Sequence, residues 1–150
     1  MNAFTPSPAA GTPGASGSSS TSGSLPIRSE PDIVLSRQLV RKLTQELKFS
    51  LVDQTKMITA ASELSRNTLV YGGGGAMEWA LVQSGVRSGL RLAFVDEGPG
   101  IPDLELAMKD GWTSGSGMGM GLSGSKRLVN DFELESAPGR GTRVTITRWK

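Results

Sequence analysis

The sequence predicts an α+β fold, a two-layer α/β sandwich with helices on one face of a mixed, mainly antiparallel sheet. Three observations carry this. Two stretches with apolar residues at helical spacing come first. Two pairs of strand-like runs follow, each pair joined by residues that favour turns. Between the pairs lies a stretch from Val95 to Leu122 so rich in Gly, Ser and Thr that it cannot pack as an ordinary helix or strand. Strands adjacent in sequence pair antiparallel, and the interspersed helices must bury their apolar stripes against one face of the resulting sheet.

In chain order, residues Met1 to Ser24 consist almost wholly of Ser, Gly, Pro, Thr and Ala, with Phe4 as the sole aromatic and no charge. Such a segment cannot offset the entropy of ordering, so residues 1–24 are expected to form a disordered tail and 25–150 one domain. From Asp32 to Lys48, Leu35, Leu39, Val40, Leu43 and Leu47 mark an amphipathic helix. Asp53 is expected to cap a second helix, running from about Gln54 to Val70 and ended by Gly72 to Gly75. Met77 to Val82 and Leu90 to Val95 read as an antiparallel hairpin with a longer loop over 83–89. A short helix over 102–108 and another over 122–130 bracket the glycine-rich loop, and Phe132 to Ser136 and Thr142 to Trp149 are the last strands, turned by Pro138-Gly139-Arg140-Gly141.

The 150 residues carry a net charge of +2, and the basic residues are scattered rather than clustered, which leaves no electrostatic footprint for nucleic acid. No apolar run approaches the roughly 20 residues needed to cross a bilayer, and no basic and then apolar segment opens the chain. The expectation is a cytoplasmic protein with no nucleic acid or membrane partner. Cysteine and histidine are both absent. That removes disulfides, Cys/His zinc sites, His-dependent nucleophile pairs and self-phosphorylation on histidine. Chemistry must therefore run on carboxylates, amides, hydroxyls and backbone.

Glu63 and Asn67, four apart in the second helix, share one face. Magnesium takes hard oxygen ligands and retains waters, so an amide oxygen plus phosphate oxygens makes a plausible sphere, with a nearby Glu to orient or deprotonate a nucleophile. A solvated helix face explains the same spacing and is the commoner reason for it. Asp96 ends an apolar strand, where a carboxylate needs a donor, and an adenine amino group is one. Gly98 and Gly100 would admit a flat ring close to the backbone, yet a plain strand-end turn accounts for Asp96-Glu-Gly-Pro-Gly100 equally well. Gly115, Gly117, Gly119 and Gly121 alternate with Ser and Met ahead of Leu122, and their bare amides at a helix start would cradle phosphate. No P-loop Gly-Lys-Ser/Thr is present, and the literal G-x-G-x-x-G over 119–124 follows no buried strand.

Glu63-Leu-Ser-Arg-Asn67, Asp96-Glu-Gly-Pro-Gly100-Ile101, Gly117-Met-Gly-Met-Gly121-Leu122 and Gly141-Thr142 resemble, in the right order, the N, G1 and G2 boxes and final threonine of the GHKL, or Bergerat-fold, ATPases. The resemblance spans roughly Asp32 to Trp149 and is nearest to the switch serine/threonine kinases of the stressosome, with the anti-sigma-factor kinases next. It implies ATP and Mg²⁺ as cofactors, Asn67 as the metal ligand and Glu63 as the base. It also implies Asp96 as acceptor for the adenine amino group, with Gly98, Gly100 and Ile101 around the ring and Thr142 adding a hydroxyl. Gly117, Gly119, Gly121 and Leu122 would border the triphosphate under a lid over 109–116. The implied activity is phosphorylation of a STAS-domain antagonist protein, with partner switching toward a second regulatory target such as a phosphatase or cyclase. The alternatives are an anti-sigma factor that binds a sigma factor directly, or a non-catalytic nucleotide-binding interaction module. The Gly72 to Gly75 run departs from the family pattern and predicts a looser pocket edge.

Overall fold

A computed structural model describes residues 21–101, 107–109 and 121–150. Its elements are β1 (Ser22–Ile27), α1 (Glu30–Glu46), α2 (Leu51–Val70), β2 (Gly75–Ser84), β3 (Arg87–Asp96), α3 (Gly121–Lys126), β4 (Asp131–Ser136) and β5 (Thr142–Trp149). The five strands form one sheet in the order β1-β2-β3-β5-β4, and every pairing among the described residues is antiparallel. The two-layer α+β architecture is as the sequence predicts.

The core lies between the sheet and the helices because each strand alternates. Leu90, Leu92 and Phe94 of β3 and Val144 and Ile146 of β5 point inward and are buried, and they meet Val40 and Leu43 of α1 and Met57 and Leu64 of α2 in one cluster. In β4, Asp131, Glu133 and Glu135 are exposed while Phe132 and Leu134 are half-buried against that cluster. The two long helices pack on each other through small residues: Ser36 donates to Ile33 O and meets Ser65 Oγ at 3.1 Å, with Ala60 and Ala61 fully buried beside them.

Helix ends follow local chemistry. Asp32 in the first turn of α1 accepts from Arg28 N–H at 2.8 Å. At the far end Lys48 takes a left-handed φ of 63°, Lys48 N–H bonds Gln45 O and Phe49 N–H bonds Thr44 O. This pair of bonds is a Schellman stop with lysine where glycine is usual. Ser50 caps α2 by accepting from Asp53 N–H at 3.1 Å. Asp53 is thus not the predicted cap. It lies in the first helical turn, and its carboxylate instead meets Arg148 Nη2 at 2.6 Å.

Two more expectations are corrected. β1 begins at Ser22, so Ser22 to Ser24 are strand residues paired with Ala80, Trp79 and Glu78 rather than the end of a tail; residues 1–20 lie outside the described residues. The β2–β3 connection is not a long loop: Ser84 pairs with Arg87, and Gly85 and Val86 alone make the turn. Gly85 supplies the positive φ of 61° that the first central position of a tight hairpin turn of this type demands. The helix expected over 122–130 is shorter, ending at Lys126, and most of the one expected over 102–108 lies outside the described residues. Among the described residues, no helix is long and apolar enough to cross a membrane.

Candidate functional site

The end of β3 is where the predicted residues converge. Asp96 stands in register with Gly75 of β2 on one side and Thr142 of β5 on the other. Its Oδ1 accepts from Gly98 N–H at 2.9 Å. Burial pushes the Asp96 carboxyl above its ordinary value of 3.8, and hydrogen bonds from the backbone of Gly98 and Thr142 pull the other way. Desolvation dominates, as it does for a carboxylate held ready for a donor that arrives from outside.

The loop after β3 is pinned to the β4–β5 turn. Gly139 N–H donates to Pro99 O at 2.8 Å, and Ile101 N–H donates to Ser136 Oγ at 2.8 Å. Gly100, at φ 81°, comes so close that a Cβ there would lie 2.1 Å from Ala137 O. Ser136 Oγ also donates to Gly141 O at 2.8 Å and lies 2.9 Å from Thr142 Oγ1. A cavity of about 310 Å³ opens beside this turn; besides Asp96, Ser136 and Thr142 its lining includes Val95, Glu135 and Arg143, which alternation turns to the sheet face away from the helices. Asp96, Gly98, Gly100, Ile101 and Thr142 are therefore brought together.

The helix carrying Glu63 and Asn67 ends against this group. Asn67 O accepts from Tyr71 N–H at 3.0 Å and from Gly72 N–H at 3.2 Å. Gly72 then abuts Asp96, since a Cβ at 72 would lie 2.4 Å from Oδ2, and Gly98 abuts Gly72 in turn. The glycine run does not loosen this edge as expected; at Gly72 it lets the edge close. Glu63 and Asn67 are half-buried one turn apart on α2, but neither lines the 310 Å³ cavity. The Asn67 carboxamide makes no hydrogen bond among the described residues. A half-buried, unengaged amide oxygen is a donor that suits a hard cation shared with phosphate. Among the described residues no three carboxylates gather to hold a metal by themselves.

α2 also packs on α3, whose Gly121 and Leu122 belong to the predicted phosphate rim. Gly117 and Gly119, and the predicted lid beyond Lys109, lie outside the described residues. Lys109 O accepts from Ser123 Oγ at 3.4 Å. Sequence reasoning missed Ser136 and the contact role of Gly72. No signal marks Ser136, a small polar residue ending an alternating strand, whereas Gly72 was visible only as a helix breaker.

Residues 52–150 match the family model described as histidine kinase-, DNA gyrase B- and HSP90-like ATPase. The chain belongs to this family. As a member of the histidine kinase-, gyrase- and HSP90-like ATPases it is expected to use ATP, and the converging residues are those that carried the resemblance in sequence. The chain is 43% identical over 123 residues to serine/threonine-protein kinase RsbT of Bacillus subtilis (strain 168), covering 82% of this chain and 92% of that protein. It is 26% identical over 117 residues to the anti-sigma F factor of Thermoanaerobacter sp. (strain X514), covering 75% of this chain and 82% of the relative. In fold it is similar to the crystal structure of the RsbU and RsbW domains of Rv1364c from Mycobacterium tuberculosis, at a TM-score of 0.58 and 17% identity. That match covers 86% of this chain and 33% of the solved one, so the chain spans about a third of that structure.

Proposed function

We propose that this ATPase-family chain is a magnesium-dependent serine/threonine protein kinase that phosphorylates a STAS-domain antagonist and changes partners as that antagonist is modified. The kinase reading is supported by 43% identity to RsbT over nearly the whole of that protein. One observation carries the site: Asp96, the cross-strand neighbour of Thr142, is closed in by Gly72 at the end of the helix that bears Glu63 and Asn67.

In this reading Asp96 accepts from the adenine amino group, Gly98, Gly100 and Ile101 border the ring, and Thr142 offers its hydroxyl. Gly117, Gly119, Gly121 and Leu122 border the phosphates. Since α3 has only six residues, attraction there rests on backbone amides more than on a long helix dipole. Asn67 would hold Mg²⁺, which would supply neutralisation of the phosphate charge. Glu63 takes the proton of the incoming Ser or Thr hydroxyl; its oxygen bonds the γ-phosphorus, the bond to the β–γ bridging oxygen breaks, and ADP leaves.

The test is transfer of label from ATP, with Mg²⁺, to a STAS-domain protein. Glu63→Gln should keep nucleotide binding and lose transfer by at least about 100-fold. Full-rate transfer by that variant would remove Glu63 from the role. The anti-sigma F relatives favour a second reading, direct capture of a sigma factor. Retention of sigma factor but not of STAS protein on the immobilised chain would select it.

A further inference from the structure

The geometry points to Ser136 as a positioning residue that sets nucleobase specificity, by forcing the Thr142 hydroxyl to face the pocket as an acceptor. This deepens the reading of Asp96 and Thr142 as the base-binding pair and rests on it.

The assignment follows from counting protons. A serine hydroxyl has one proton to give and two lone pairs to receive with. Ser136 Oγ sits 2.8 Å from Gly141 O, and a carbonyl oxygen only accepts, so the serine proton lies on that line. Ile101 N–H, 2.8 Å away, occupies one lone pair. Thr142 Oγ1 is 2.9 Å away, a distance two oxygens hold only with a proton between them. Ser136 has none left, so the proton belongs to Thr142. With its one proton committed to Ser136, Thr142 Oγ1 can present only lone pairs to a ligand seated on the helix-side face of the sheet, where alternation places it.

Asp96, its cross-strand partner, stands on the same face and, ionised, is acceptor-only as well. The base edge therefore meets two acceptors side by side, from residues in register across β3 and β5. A 6-amino purine brings two amino protons to such a pair, directly or through one water. A 6-oxo purine brings a carbonyl oxygen, which faces lone pairs and is repelled. Without Ser136 the Thr142 hydroxyl could rotate and donate to that oxygen, so the site would lose discrimination more than affinity.

Calorimetric titration of ADP and IDP into the full chain tests this. The wild type should bind ADP more tightly than IDP. Ser136→Ala should cut the ADP/IDP preference about 3- to 10-fold, the worth of one ordinary hydrogen bond. Thr142→Val should cut it as much, and Ser136→Ala added to Thr142→Val should change the preference no further, because there is then no hydroxyl to orient. A merely structural role for Ser136 would weaken both nucleotides alike and leave their ratio intact, and that result overturns the proposal. If the wild type itself shows no preference, or binds neither nucleotide, it is the base-binding reading of Asp96 and Thr142 that fails.

Discussion

Gly72 and Asp96 touch backbone to carboxylate: a Cβ on residue 72 would lie 2.3 Å from Asp96 Cγ and 2.4 Å from Oδ2. The end of α2 is thereby seated on the residue assigned to the purine. Gly72→Ala must push the carboxylate off its position or lift the helix end. A hydrogen bond to a charged group is worth about 1.5–3 kcal/mol, so ADP affinity should fall at least about 10-fold. Calorimetry checks this, with Gly73→Ala as the contrast: a Cβ at Gly73 meets nothing within 4 Å, though its φ of 77° makes that variant costly in stability rather than in binding.

Burial holds the Asp96 carboxyl above its ordinary 3.8, which fixes the sign of its pH effect. Below that pH the group is protonated in folded and unfolded chains alike and costs nothing. As pH rises through 3.8 the unfolded chain ionises first, and stability is lost until the folded carboxyl ionises too. Asp96→Asn removes this loss. Urea unfolding should show the variant gaining on wild type as the pH rises above about 4, while its ADP binding disappears. A stability difference that does not change with pH would contradict the assignment.

Lys48 occupies the left-handed position of the α1 stop at φ 63°, a conformation that strains any residue with a Cβ. Lys48→Gly should stabilise the fold by about 0.5–1 kcal/mol, the relief of that strain less the extra entropy of glycine in the unfolded chain. Denaturant midpoints measure it, with no change expected in nucleotide affinity.

The 2.6 Å pair of Arg148 and Asp53 ties the end of β5 to the first turn of α2, with side chains 15% and 28% exposed, and Arg148 also donates to Leu128 O at 2.9 Å. Asp53→Ala should cost about 1–3 kcal/mol, less than for a fully buried pair because solvent reaches both groups. Adding Arg148→Met should recover part of that loss, since the stranded guanidinium is then gone. Ser50→Ala, which removes the true cap, should cost about 1 kcal/mol independently.

The sequence revealed most where a residue's own chemistry decides its place. Asp96 could be placed at a strand end beside glycines because a carboxylate there demands donors, and the final two strands were legible from alternation. β1 was hidden because Ser22, Gly23 and Ser24 have the composition of a linker and become strand only by pairing with β2, a long-range contact no local pattern records. The tight β2–β3 turn was missed because Val86, almost fully exposed at 97%, is no turn former and only Gly85 marks it. Asp53 was misplaced because a capping aspartate and one paired with a distant arginine look alike in sequence. Ser136 gave no signal, since its role comes from three partners, one on the loop after β3 and two in its own hairpin.

The central claim is that Asn67 brings a divalent cation to a nucleotide held at Asp96 and Thr142. Titration of ATP with and without Mg²⁺ into wild type and Asn67→Ala tests it most directly. The account predicts that Mg²⁺ tightens ATP binding to wild type, and that Asn67→Ala retains metal-free binding but loses the Mg²⁺ enhancement together with phosphotransfer. An Asn67→Ala chain whose ATP affinity still rises with Mg²⁺ as in wild type would contradict it.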